Sequence, residues 1–74
     1  MRAPNRDQLR ILREVYPPGC RVELLEMDDP YAVPVGTTGT VMLVDAAGTI
    51  HVNWDNGREL GVAYGADKCR RVDE

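Results

Sequence analysis

Across 74 residues the chain contains no Phe, no Ser, one His, one Trp and two Cys. Without Phe and with a single Trp, the core has to be built from Val, Leu, Ile, Met and Tyr. In a chain this short that core is thin, because only about 60% of the unfolded surface is buried on folding. The lack of Ser, and the separation of His51 from Cys20 and Cys69 along the chain, leave no adjacent nucleophile and base of the kind covalent catalysis needs. The same isolation of Cys20, His51 and Cys69 argues against zinc, whose ligands come in close pairs. No catalytic residue, metal or cofactor is therefore expected. Long apolar runs are also missing: nothing approaches the ~18 residues that cross a bilayer, and no apolar targeting segment follows the N-terminus. These features predict a soluble, cytoplasmic protein with reduced thiols.

Charge is unevenly placed. Arg2, Arg6, Arg10 and Arg13 face only Asp7 in the first 13 residues, whereas 11 of the 12 carboxylates lie beyond them among five basic groups. A body of that sign repels a phosphate backbone, which disfavours duplex binding through it.

Local patterns predict a helix and then five strands. Asn5 and Gln8 form a capping-box spacing, Leu9, Leu12 and Tyr16 recur at helical intervals, and Pro17-Pro18 end the segment. From Gly19 the period becomes two. Cys20 to Leu24 alternates as a first strand, and Thr40 to Asp45, apolar on both faces, is expected to be central. Thr49 to Trp54 presents Ile50, Val52 and Trp54 on one face. Asn56-Gly57 marks a tight hairpin into a fourth strand with Leu60, Val62 and Tyr64. A turn at Gly65 to Asp67 precedes a last strand, Cys69 to Val72. The resulting fold class is mainly β: a small, strongly bent five-stranded barrel over residues 19–74, preceded by an N-terminal α-helical arm over residues 1–18.

Gly19, Val22, Gly36-x-x-Gly39-Thr40-Val41 and Val52-x-Trp54-Asp55-Asn56-Gly57 resemble the SH3-like barrels of Mib/Herc2 domains. That resemblance implies a small five-stranded SH3-like barrel over residues 19–74, in which the first and last strands pair antiparallel and are expected to bring Cys20 and Cys69 near each other. A more specific likeness rests on Pro18-Gly19-x-Arg21-Val22-x-Leu24, Met27-Asp28-Asp29-Pro30, Pro34-x-Gly36-Thr37-x-Gly39-Thr40-Val41, Asp45-x-x-Gly48-x-Ile50 and Trp54-Asp55-Asn56-Gly57. In this set the chain resembles domain-of-unknown-function family 4314, short uncharacterised proteins of phages and conjugative elements, from about Tyr16 to Val72. That resemblance implies a mobile-element setting and no assigned chemistry.

The expected role is a non-enzymatic binding module, an adaptor or inhibitor of a host or element protein, with counter-defence as one such role. The longest loop supplies the expected site: Met27, Asp28, Asp29 and Tyr31 on one wall, with Trp54, Asp55, Asn56, Arg58 and Tyr64 on the other. Turn chemistry is the competing reading for Asp28-Asp29 and Asp55-Asn56, and core packing for Trp54. Arg6, Arg10 and Arg13 offer either a solvated helix face or a contact for an acidic partner. Two rivals remain: a homo-oligomer that sequesters a nucleotide-like ligand, with Arg58, Arg70 or Arg71 on phosphate and Trp54 or Tyr31 stacking, and a nucleic-acid accessory factor using the Arg-rich helix.

Overall fold

A computed structural model describes residues 3–73. The chain starts with one helix, α1 (Arg6–Val15). Asn5 caps it: the Gln8 N–H donates to Asn5 Oδ1 at 2.8 Å and the Asn5 N–H donates to Gln8 Oε1 at 2.9 Å, so two otherwise orphaned donors are satisfied reciprocally. Pro17 follows, with no N–H to continue the ladder. Five strands come next: β1 (Arg21–Glu26), β2 (Thr38–Val44), β3 (Ile50–Trp54), β4 (Glu59–Val62) and β5 (Lys68–Arg71).

All neighbours are antiparallel, in the order β4-β3-β2-β1-β5. The chain meanders through β1 to β4, and β5 returns to pair with β1. The mainly β class and the helix are as expected; the expected barrel is not closed, because β4 and β5 end the sheet as unpaired edges. The central position expected for the second strand holds. Its register slips between Val41 and Leu43, and this bulge turns two consecutive apolar side chains outward: Met42 and Leu43 are each 47% exposed.

Val22, Leu24, Val33, Val41, Val44, Ile50, Val52, Trp54, Val62 and Cys20 form the buried core. Alternation along β1 and β3 puts Val22 and Leu24, then Ile50, Val52 and Trp54, on that inner face. Leu9, Leu12 and Tyr16 pack α1 against it, although no residue of the helix is fully buried. Three long-range bonds also hold the helix: Arg13 Nε to Val44 O at 3.2 Å, Tyr16 OH to Cys69 O at 3.3 Å, and Arg71 Nη1 to Val15 O at 2.9 Å. The expected neighbourhood of Cys20 and Cys69 is looser than a cross-strand pair. Cys69 lies opposite Leu24, four residues along the chain from Cys20, which precedes β1, and both thiols are free. No described helix is long and apolar enough to cross a membrane.

Candidate functional site

A cavity lies between α1 and the two free edges of the sheet. Its volume is about 430 Å³, and both edges contribute to it: Val62 from β4, Lys68 and Cys69 from β5. Leu12 and Tyr16 descend from α1, Gly48 and Ile50 come from the β2–β3 hairpin, and Tyr64 and Asp67 from the β4–β5 turn. The walls are mostly apolar, and several polar groups in them are already engaged. Asp67 Oδ2 accepts the Ala63 N–H at 2.9 Å, pinning the turn, and Tyr16 OH donates to Cys69 O. Burial pushes the Cys69 thiol up to about 11 and raises the Tyr16 phenol, so both stay protonated at neutral pH. An environment that suppresses the thiolate makes Cys69 a poor nucleophile.

The expected site residues distribute unevenly around this cavity. Tyr64 lines it. Met27 is half-buried against the core and follows directly on Glu26, which pairs with Lys68 at the cavity rim. Asp29 makes turn chemistry: its Oδ1 accepts the Tyr31 N–H at 2.7 Å. Asp28 is exposed beside it, and Tyr31 is 69% exposed.

Trp54, Asp55, Asn56 and Arg58 belong to the opposite hairpin. Trp54 has to be corrected: at 1% exposure it is a core side chain, with Nε1 donating to Leu60 O at 3.0 Å, and it presents no face to a surface groove. Asn56 Oδ1 accepts the Arg58 N–H at 3.1 Å inside the turn. Among the described residues no hydrogen bond or ion pair joins Asp28, Asp29 or Tyr31 to Asp55, Asn56 or Arg58, although the loop that carries the first three and the hairpin that carries the others leave the same end of the sheet.

Asp55 instead anchors the sheet. Arg21 Nη1 donates to its Oδ1 at 2.8 Å, and the Thr38 hydroxyl donates to its Oδ2 at 2.6 Å. The same guanidinium reaches Thr40 Oγ1 at 3.0 Å, so one arginine ties β1, β2 and the β3–β4 hairpin together. The Arg21 hydrogen bonds, helped by Thr38, hold the Asp55 carboxyl well below the usual carboxylate range. A depressed folded-state value stabilises the fold above the ordinary carboxylate pKa and loses that contribution as pH falls below it. Acid unfolding followed by circular dichroism is therefore expected to show the native chain weakening below about pH 4. An Asp55→Asn variant is expected to be weaker at pH 7 and to have a flatter acid limb. Superimposable pH profiles would show that the pair contributes nothing.

The remaining cations are dispersed. Arg10 pairs with Glu14 at 3.0 Å and Arg13 holds Val44 O, so of the three helix arginines expected to meet an acidic partner, Arg6 is the one without such a bond among the described residues. Arg70 pairs with Glu23 and Arg71 with Asp73, while Arg58 sits on the far hairpin, so Arg58, Arg70 and Arg71 do not form one phosphate cradle. His51 Nε2 bonds Asp45 Oδ2 at 2.8 Å on the outer face. No group of three metal-ligating side chains occurs among the described residues.

A five-stranded antiparallel sheet with a helix laid along its open side is, as a class, a small β scaffold carrying an apolar cavity between its free edges. Residues 5–72 match the family described as Domain of unknown function (DUF4314), and the chain belongs to that family. No curated protein and no solved structure matches the chain.

Proposed function

We propose that the chain is a non-catalytic binding module, an adaptor or inhibitor that docks on a protein of its host or of the mobile element that carries it. The cavity under α1 carries this reading: its apolar walls take an apolar side chain, while Tyr64 and Lys68 at its rim supply polar contacts, the anatomy of a protein-recognition pocket. The phage or conjugative-element setting, with action in the cytoplasm, rests on the sequence motifs from Pro18 to Gly57. An SH3-like kinship is supported by the return of β5 to β1 after a four-strand meander.

A nucleotide-like ligand is the second reading. The cavity volume favours it, being within the ~300–1,000 Å³ usual for small molecules, and the scatter of Arg58, Arg70 and Arg71 weighs against it.

Affinity capture from host lysate by the native protein and by Tyr64→Ala, matched for folding by circular dichroism, separates these readings. A protein enriched at least tenfold by the native chain and lost with Tyr64→Ala is the expected result. Equal enrichment on both, or release of a small molecule with no protein, would overturn it.

A further inference from the structure

The two free edges of the sheet are not equivalent. On β5, the Val72 N–H donates to Arg21 O at 3.0 Å, and because antiparallel pairs alternate, the main-chain groups of Cys69 and Arg71 point away from β1. That edge is covered: Tyr16 OH donates to Cys69 O, the Arg71 side chain reaches over to Val15 O, and Lys68, Arg70 and Arg71 charge the strand. β4 lacks such protection. The Trp54 N–H donates to Arg58 O at 2.8 Å, which fixes the alternation, so Arg58, Leu60 and Val62 bond to β3. The N–H and C=O of Glu59 and Gly61 then point outward. Among the described residues, no hydrogen bond outside the β3–β4 ladder uses those four groups.

Hollows flank this edge on both faces of the sheet. Val62 leads into the 430 Å³ cavity on the inner face. On the outer face a second hollow of about 170 Å³ is bounded by Met42, Leu43, His51, Glu59 and Gly61, beside the bulge in β2. Glu59 is exposed and forms no ion pair among the described residues.

From this we infer that β4 takes up an extended segment of the partner polypeptide as a sixth strand. Successive side chains of an added strand point to opposite faces, so one apolar residue enters the cavity under α1 and its neighbour lies on the outer face, against the rim of the second hollow at Glu59 and Gly61. A basic residue meets Glu59. Four outward main-chain groups fix direction and register, and the two hollows select the sequence. The inference rests on the docking reading above and names the form and chemistry of its partner.

A 12-residue displayed-peptide library, selected on the intact protein, supplies the probe. The expected consensus alternates apolar residues and carries Lys or Arg. N-methylation of the selected peptide along its backbone is expected to cost tenfold or more at every second position and little between. Glu59→Pro removes an outward N–H while leaving the bonds of Arg58 and Leu60 to β3 intact, and is expected to weaken binding at least tenfold, with Glu59→Gln falling in between. If Glu59→Pro does not fold, the N-methyl scan on the native protein still decides. Binding that depends on Tyr64 but shows no period of two would overturn strand addition and leave the docking reading standing. Binding indifferent to both Tyr64 and Glu59 would remove both. Failure to select any binder, or a β4-mediated homodimer that Glu59→Pro dissociates, also overturns the inference, the latter by showing that the edge receives a second copy.

Discussion

Trp54→Ala is expected to unfold much of the population at 25 °C. The indole is among the largest fully buried side chains and ends β3 opposite Gly39. Large aromatic-to-alanine changes in a core cost about 3–5 kcal/mol through lost burial and the cavity left behind. A domain of this length has only about 4–11 kcal/mol in total, at roughly 0.05–0.15 kcal/mol per residue. Trp54→Phe keeps a ring in the site and gives up the bond to Leu60 O, worth about 0.5–1.5 kcal/mol net, so it should remain folded with a lower urea midpoint. Circular dichroism is the required readout, since either substitution removes the only Trp. A loss below about 1 kcal/mol in Trp54→Ala would mean that the ring does not hold the core together.

The burial of Trp54 was legible in the sequence, because Ile50, Val52 and Trp54 share one face of a period-two segment, and a strand whose inner face packs a core fixes that facing. Its position beside Asp55 and Asn56 suggested a groove, but alternation is the stronger constraint. Local signals served the elements well: the Asn5–Gln8 spacing closed the helix cap, and Asn56-Gly57 made the β3–β4 turn, with Gly57 at φ 90°. What escaped was formed by distant segments. Nothing near Arg21 announces Asp55, 34 residues away, and nothing at Leu12, Ile50 or Tyr64 announces a shared cavity, which exists because β5 comes back to β1 and leaves a gap at β4. The outward turn of Met42 and Leu43 was equally hidden, since a bulge is a mismatch between two strands and a continuous apolar run in one of them does not reveal it. Barrel closure escaped for a related reason: the count of strands was readable, but whether the β4 and β5 edges meet depends on the curvature of the sheet.

Gly39→Ala is the second change expected to be severe, and its cause differs from that of the neighbouring glycine in the same motif. Gly36 lies at φ 93°, and an added Cβ would find open space, with only Glu23 Oε2 near at 3.9 Å. Alanine there costs backbone strain, about 1 kcal/mol. Gly39 is buried in β2 at an ordinary φ, but a Cβ would come within 2.7 Å of Val52 Cγ1, 2.9 Å of Asn53 O and 2.9 Å of Trp54 Cε3. The valine methyl can rotate away, whereas the Asn53 carbonyl belongs to the β2–β3 ladder and the indole is walled in by the core. Relief therefore requires the two central strands to part, and overpacking of that kind costs about 1–3 kcal/mol or more. Urea unfolding should place Gly39→Ala well below Gly36→Ala. Adding Val52→Ala to Gly39→Ala should recover only part of the loss, because the contacts with Asn53 O and Trp54 remain. Full recovery in the double variant would assign the whole clash to the valine methyl, and a neutral Gly39→Ala would show that β2 and β3 do not approach as closely as the Gly39–Trp54 register requires.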